Sequence, residues 1–149
     1  MKQGPERELV SRYFDRARAT GKLLALTGFD ILEFPESRST TADSRKADEA
    51  ATLRSALPEG IRIALDEHGR TMPSAAFAAQ LARWRDDGRQ AVSFVIGGAD
   101  GLDPAFVRQT DVTLSFSPLT WPHQLVRIML AEQLYRATTI LSGHPYHRE

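Results

Sequence analysis

The chain of 149 residues contains no cysteine, and this absence excludes several kinds of chemistry. Without thiols there is no disulfide framework, no zinc–thiolate site and no cysteine nucleophile, and a reducing compartment fits the sequence. No apolar run approaches the ~18 residues of a membrane span, and the opening residues MKQGPE have no apolar signal-peptide core. We therefore expect a cytoplasmic protein that is neither secreted nor inserted in a membrane.

The chain also lacks an excess of charge of either sign, because 19 Lys and Arg residues balance 19 Asp and Glu residues. A strong basic excess is the usual footprint of nucleic-acid binding, so zero net charge taken alone argues against such a module. Hydrophobic residues make up 42% and charged residues 26%, which is typical of globular proteins. At this length we expect a single domain spanning residues 1–149.

Segments of helical periodicity alternate with short apolar runs along the chain. This order predicts an α/β fold with a mainly parallel sheet. Helices are predicted over residues 4–20, 44–57, 73–87 and 122–141, with a short one beginning at 103. Strands are predicted over residues 29–34, 61–65, 91–96 and 112–116.

Three loops follow predicted strands, where ligands bind in parallel sheets. Residues 66–70 are polar, and residues 97–101 read GGADG, in which glycines allow close approach to the backbone. That spacing matches neither the dinucleotide fingerprint nor a P-loop, and a tight turn is the simpler explanation of Gly-Gly. Residues 117–122 form a loop that is rich in apolar residues and short of charge. They suit a wall for an adenine ring or an ordinary buried connection.

The last predicted helix carries apolar residues around more of its circumference than one core-facing stripe requires. One face can pack on the sheet while another packs on a second subunit, which favours a homodimer. The alternative is a fully buried helix in a monomer. In the tail that follows, His144 and His147 have no third ligand at metal-site spacing, so no metal site is predicted.

The loops, the last helix and the tail follow one another in a specific order. The segments are Leu65-Asp66, IGGADG (96–101), LSFSPLTWPHQLVR (114–127), AEQLYRA (131–137) and HPYHRE (144–149). In this order they closely resemble the RlmH-type ribosomal RNA pseudouridine N3-methyltransferases of the SPOUT superfamily, and the resemblance covers essentially the whole chain. It implies an α/β fold with a C-terminal trefoil knot. It also implies an obligate homodimer that uses S-adenosyl-L-methionine to methylate a pseudouridine in a hairpin loop of 23S rRNA, within the assembled ribosome.

The resemblance also implies which residues form the cofactor site, and they belong to the loops described above. They are Leu65, Gly97, Gly98, Ser117, Pro118, Leu119, Thr120, Trp121 and Pro122. For catalysis we expect a base near the target nitrogen, with His123, His144 and His147 as candidates. We further expect the tail of one subunit to close over the cofactor of the other, where Tyr146, His147 and Arg148 grip the base and its phosphate.

One departure from the family pattern concerns the beginning of the chain. Family members usually open with a short apolar strand before the GPERE helix, and here that N-terminal first strand is expected to be missing. An inactive ribosome- or RNA-binding relative without turnover therefore stays open, as does a protein for another adenine-containing ligand. Balanced charge then predicts that the ribosomal context supplies specificity and that free RNA is a poor substrate.

Overall fold

The computed structural model describes residues 4–148, and these residues divide into two compact units that the chain visits in alternation. The helical unit comprises residues 4–32, 72–88 and 124–148. The sheet unit comprises residues 33–71 and 89–123.

The helices and strands alternate as an α/β protein requires. In chain order they are α1 (Pro5–Gly21), a 3-10 turn (Lys22–Leu24), α2 (Ala42–Ala56), β1 (Ile61–Arg70), α3 (Ser74–Asp86), β2 (Val92–Val95), α4 (Pro104–Arg108), β3 (Val112–Leu114) and α5 (His123–Ser142). All five predicted helices are confirmed, as are three of the four predicted strands. Within residues 4–148, no helix is both long and apolar enough to span a bilayer.

The strand predicted over residues 29–34 is wrong, since residues 26–39 form neither helix nor strand. The Phe29 ring packs against Phe14 of α1, with ring centroids 6.2 Å apart, and the Phe29 carbonyl accepts a hydrogen bond from Arg18. Leu32 is 63% exposed. The apolar side chains of this segment therefore contact a helix or solvent, and their backbone pairs with no sheet.

The sheet has the order β2–β1–β3, and both pairings are parallel. Ile63 of β1 lies opposite Phe94 of β2 on one side and Val112 of β3 on the other. Short runs of β-branched and apolar residues suit such strands because a central parallel strand is covered on both faces. Within the sheet unit, a buried cluster joins α2, β2 and α4 and consists of Ala50, Val95 and Phe106, with Leu53, Leu57 and Leu102 packed against it.

The carboxyl end of β1 is irregular. Leu114 of β3 pairs with both Leu65 and Arg70, so residues 66–69 leave the ladder between these two positions. The predicted polar loop thus corresponds to an excursion of the strand, which rejoins the sheet at Arg70. The return is tight, because a Cβ added at Gly69 would lie 2.7 Å from the Thr113 carbonyl carbon.

We expect Gly69→Ala to destabilise the protein by about 1–3 kcal/mol, since backbone atoms cannot yield to the added methyl group as a flexible side chain would. Urea unfolding followed by circular dichroism measures the change. His68→Ala is the matched control, because the His68 side chain is 85% exposed in the same excursion. If Gly69→Ala proved as stable as His68→Ala, β1 and β3 would be able to move apart here without a measurable loss in the free energy of unfolding.

Candidate functional site

The carboxyl ends of the three strands meet at one edge of the sheet. The register pairs Ala64 with Val95 and Leu65 with Leu114, so the segments that follow begin side by side. All nine residues predicted to hold the cofactor lie at or just beyond this edge. The parallel topology therefore brings together loops that are about 20–30 residues apart in sequence, as expected at the binding edge of such sheets.

The two neighbouring glycines of the second loop have different surroundings. A Cβ on Gly97 would lie 2.7 Å from the Gly101 carbonyl carbon and 2.9 Å from the Leu102 nitrogen, so the turn itself requires glycine there. The atoms nearest to a Cβ on Gly98 would be Glu36 Oε1 at 3.4 Å and Glu49 Oε1 at 3.7 Å, which is ordinary contact. The tight-turn explanation therefore accounts for Gly97 and leaves Gly98 unexplained.

The third loop is shaped by hydrogen bonds to the β1 excursion. Thr120 Oγ1 donates to Glu67 Oε2 at 2.6 Å, and Ser115 Oγ lies 3.2 Å from the Glu67 carbonyl oxygen. Leu119 is 65% exposed and Trp121 is 39% exposed. The alternative of an ordinary buried connection does not hold, because the loop presents its apolar side chains outward.

A charged cluster beside the glycine loop was missed by sequence reasoning. Arg45 of α2 forms a bidentate ion pair with Asp100, with Nε–Oδ2 at 2.7 Å and Nη2–Oδ1 at 3.1 Å. This hydrogen bonding raises the pKa of Arg45 and lowers the pKa of Asp100. Asp100 stood in the GGADG motif, but no local pattern links it to Arg45, which is 55 positions away.

The C-terminal tail folds back on α5 within the helical unit. The Tyr146 hydroxyl donates to Glu132 Oε1 at 3.0 Å, and the Tyr146 ring centroid lies 4.6 Å from that of Tyr135. The Arg136 guanidinium carbon lies 4.9 Å from the centre of the Tyr146 ring, and Arg136 pairs with Glu132 at 2.6 Å. The tail thus has defined partners, and the ion pair between Arg136 and Glu132 is part of its surroundings.

The predicted histidines occupy different environments. His144 Nδ1 accepts a hydrogen bond from the Tyr146 amide at 3.1 Å, and His147 Nδ1 lies 3.2 Å from Arg136 Nη1. Because guanidinium only donates, His147 Nδ1 must accept in this contact. His123 is the half-buried first residue of α5, and Arg148 is exposed. The helix and tail therefore bring Tyr146 and His147 together with Glu132 and Arg136.

Burial, followed by the hydrogen bond to Glu132, raises the pKa of Tyr146 to about 12. We expect an ultraviolet pH titration to show a late tyrosinate step that Tyr146→Phe removes. A raised pKa stabilises the folded state where the phenol is protonated. The advantage over Tyr146→Phe should therefore be full below pH ~10 and be lost as the pH rises towards 12. An unchanged titration in Tyr146→Phe would contradict the contact with Glu132.

Comparison with known proteins identifies the family. A family model described as "Predicted SPOUT methyltransferase" matches residues 1–147. The chain belongs to this SPOUT methyltransferase family. It is similar to "Ribosomal RNA large subunit methyltransferase H" of Rhodopseudomonas palustris strain HaA2, with 54% identity over 99% of this chain and 93% of the relative. The proteins of the same name from Bradyrhizobium diazoefficiens and Brucella anthropi are 52% and 54% identical, with the same shares covered.

Family membership confirms the resemblance drawn from the motifs, and with it the classification as a methyltransferase. The residues that the motifs nominated for the cofactor share one edge of the sheet. Among residues 4–148, no group of three or more His, Asp or Glu side chains is placed to hold a metal ion.

Proposed function

We propose that this protein transfers a methyl group from S-adenosyl-L-methionine to N3 of a pseudouridine in a hairpin loop of 23S rRNA, acting on the assembled ribosome in the cytoplasm. The observation that carries the proposal is that Leu65, the glycine loop and residues 117–122 belong to segments that leave three parallel strands at one sheet edge in a SPOUT methyltransferase. The names of its relatives, which specify the large-subunit rRNA, support the choice of substrate.

The side chains at this edge fit the proposed methyl donor. Leu119 and Trp121 offer exposed apolar surface of the kind that suits an adenine ring. Glu36 and Glu49 place carboxylates next to the Gly98 backbone, which suits a ligand with a cationic sulfonium and ammonium group. When bound, S-adenosyl-L-methionine supplies an already electrophilic methyl group, so the protein chiefly has to position the reactants.

The imide nitrogen of the target must lose its proton around the time of methyl transfer, and a nearby base assists this loss. Tyr146 stays protonated near neutral pH because its pKa is about 12, so it is not the base, and its hydroxyl donates to Glu132. The Nδ1 atoms of His144 and His147 are already engaged, the first by the Tyr146 amide and the second by Arg136 of α5. We therefore propose His123, which directly follows the cofactor loop, as the proton acceptor, with Tyr146, His147 and Arg148 holding the base and its phosphate.

The assembly and the chain path are proposed together. We propose that the carboxyl half of the chain forms a trefoil knot and that two copies form a homodimer, with each tail serving the other copy's cofactor site. The first turns of α5 support a partner surface, because Leu125 is 42% exposed and Val126, Ile128 and Met129 are half-buried. Apolar side chains left partly exposed on one helix are typical of homodimer surfaces.

Mass spectrometry of large-subunit rRNA, from cells with and without this protein, tests the proposed function. We expect one pseudouridine to lose its extra methyl group when the protein is absent and to regain it on addition of the purified protein to ribosomes. Free rRNA should be a poor substrate in the same assay. Ribosome binding without any methyl transfer would favour the inactive alternative, and donor binding with no ribosomal target would favour another adenine-ligand protein.

A further inference from the structure

The ion pair between Arg45 and Asp100 joins helix α2 to the glycine loop. Its two hydrogen bonds measure 2.7 Å and 3.1 Å, and the side chains are only 30% and 26% exposed. A bidentate pair fixes orientation as well as distance, because the planar guanidinium matches both carboxylate oxygens. Asp100 follows Gly98 by two residues, and the turn between them is closed by the hydrogen bond from the Gly101 amide to the Gly98 carbonyl at 3.0 Å. Arg45 therefore constrains the glycine loop through the side chain of Asp100, which lies within this turn.

The same arginine also holds the segment that precedes α2. Arg45 Nη1 donates to the Ser39 carbonyl at 3.1 Å. Farther along α2, Asp48 accepts hydrogen bonds from the hydroxyls of Ser37 and Ser39, at 2.7 Å and 2.6 Å. This network places Glu36 where its Oε1 lies 3.4 Å from the Ala99 amide nitrogen. Side chains of α2 thus hold both the segment of residues 36–39 and the glycine loop.

We propose that Arg45 is a positioning residue for the methyl donor: through Asp100 it sets the backbone of the glycine loop, and through residues 37–39 it sets the carboxylate of Glu36 beside that loop. The inference rests on the proposed function, since it requires the loop to bind S-adenosyl-L-methionine. Arg45 touches neither the donor nor the reacting atoms in this role. Its loss should weaken donor binding and leave the rate at saturating donor nearly unchanged.

A purely structural ion pair is the competing explanation, and the chain offers a matched control for it. Arg54, also on α2, donates from Nε to Gln109 Oε1 at 2.9 Å, and the two residues are again 55 positions apart. This contact reaches the residue after α4 and does not involve the glycine loop. Arg54 Nη2 also lies 3.9 Å from Asp103 Oδ2. Arg54→Gln therefore removes a hydrogen bond and an ion pair between the same helix and the same β2–β3 connection.

The test compares the intact protein with Arg45→Gln, Asp100→Asn, Arg45→Lys and Arg54→Gln. Calorimetry with S-adenosyl-L-methionine gives Kd, ribosome methylation gives KM for the donor and kcat, and thermal unfolding gives Tm. We expect Kd and KM to rise about tenfold in Arg45→Gln and Asp100→Asn, with kcat within about twofold of the parent. Arg45→Lys should recover part of the affinity, since it keeps the charge and loses the bidentate geometry. Arg54→Gln should keep the parent Kd.

The outcomes separate this inference from the proposed function. If the intact protein binds no donor, the proposed function itself fails. If the intact protein binds donor and Arg45→Gln and Asp100→Asn bind it equally well, Arg45 has no positioning role. An equal loss in Arg54→Gln, or failure of both Arg45→Gln and Asp100→Asn to fold, would reduce the pair to a stability element and overturn the inference.

Discussion

Deletion of residues 146–149 is expected to lower the rate of ribosome methylation by about a thousandfold or more, while Kd for S-adenosyl-L-methionine stays close to that of the intact protein. The deletion removes the side chains proposed to hold the target base, and misplacing a reactant or losing proton-transfer geometry each costs about a hundredfold or more. The donor should still bind, because every residue proposed to lie against it is found between Glu36 and Pro122, outside the tail. Single-turnover methylation and calorimetry measure the two effects separately.

Two point variants show which part of the tail is responsible. Tyr146→Phe keeps the ring beside Tyr135 and loses only the hydrogen bond to Glu132, whereas Tyr146→Ala loses both. We expect Tyr146→Ala to approach the deletion in rate and Tyr146→Phe to retain most activity. A fully active deletion would remove the tail from the mechanism. A loss of donor affinity as large as the loss of rate would place the tail in the donor site.

Gly98→Ala is expected to weaken donor binding by about 10–100-fold without lowering Tm, whereas Gly97→Ala should lower Tm. Neither glycine has a positive φ, so alanine is conformationally allowed at both positions and the outcome depends on space. At Gly98 the atoms nearest to the methyl group belong to the side chains of Glu36 and Glu49, and it would occupy the side of the loop where they lie. At Gly97 it would press on the backbone of Gly101 and Leu102.

The pair of glycine variants is its own control, since the two positions are adjacent and receive the same substitution. Thermal unfolding without ligand gives the stability change, and calorimetry with S-adenosyl-L-methionine gives the change in affinity. Parent-like affinity in Gly98→Ala would show that the donor does not approach this backbone. If instead Gly98→Ala unfolds as early as Gly97→Ala, both glycines belong to the turn and neither reports on the donor.

Local periodicity predicted the elements well where the sequence pattern and the tertiary contacts agree. Pro5 and Pro104 lie in the first turns of α1 and α4, where proline's fixed φ suits the start of a helix. The segment 29–34 failed because apolar residues alone do not distinguish a strand from a loop that packs on a helix. Phe29 packs on Phe14, and that partner is not visible in any window of the sequence around it.

The charged network beside the glycine loop shows the same limit at the site. Arg45 is one of many arginines on polar faces, and neither its spacing nor its neighbours predict that it reaches Asp100. Glu67 likewise belonged to a polar loop, and its hydrogen bond to Thr120 depends on the excursion that returns β1 to the sheet at Arg70. These contacts join residues about 50 positions apart, so only the folded chain reveals them.

The lack of cysteine keeps the consequence drawn from it, and the lack of net charge needs one refinement. The lack of cysteine by itself excludes disulfides, zinc–thiolate sites and cysteine nucleophiles, because no fold can supply a thiol. The motifs by themselves determined the family and nominated the three loops, since their residue types and order are specific. The tertiary structure decided how those loops are held, because hydrogen bonds and steric fit depend on distances that sequence separation does not encode. Zero net charge did not exclude RNA, since charge placed at a few positions matters more than its sum.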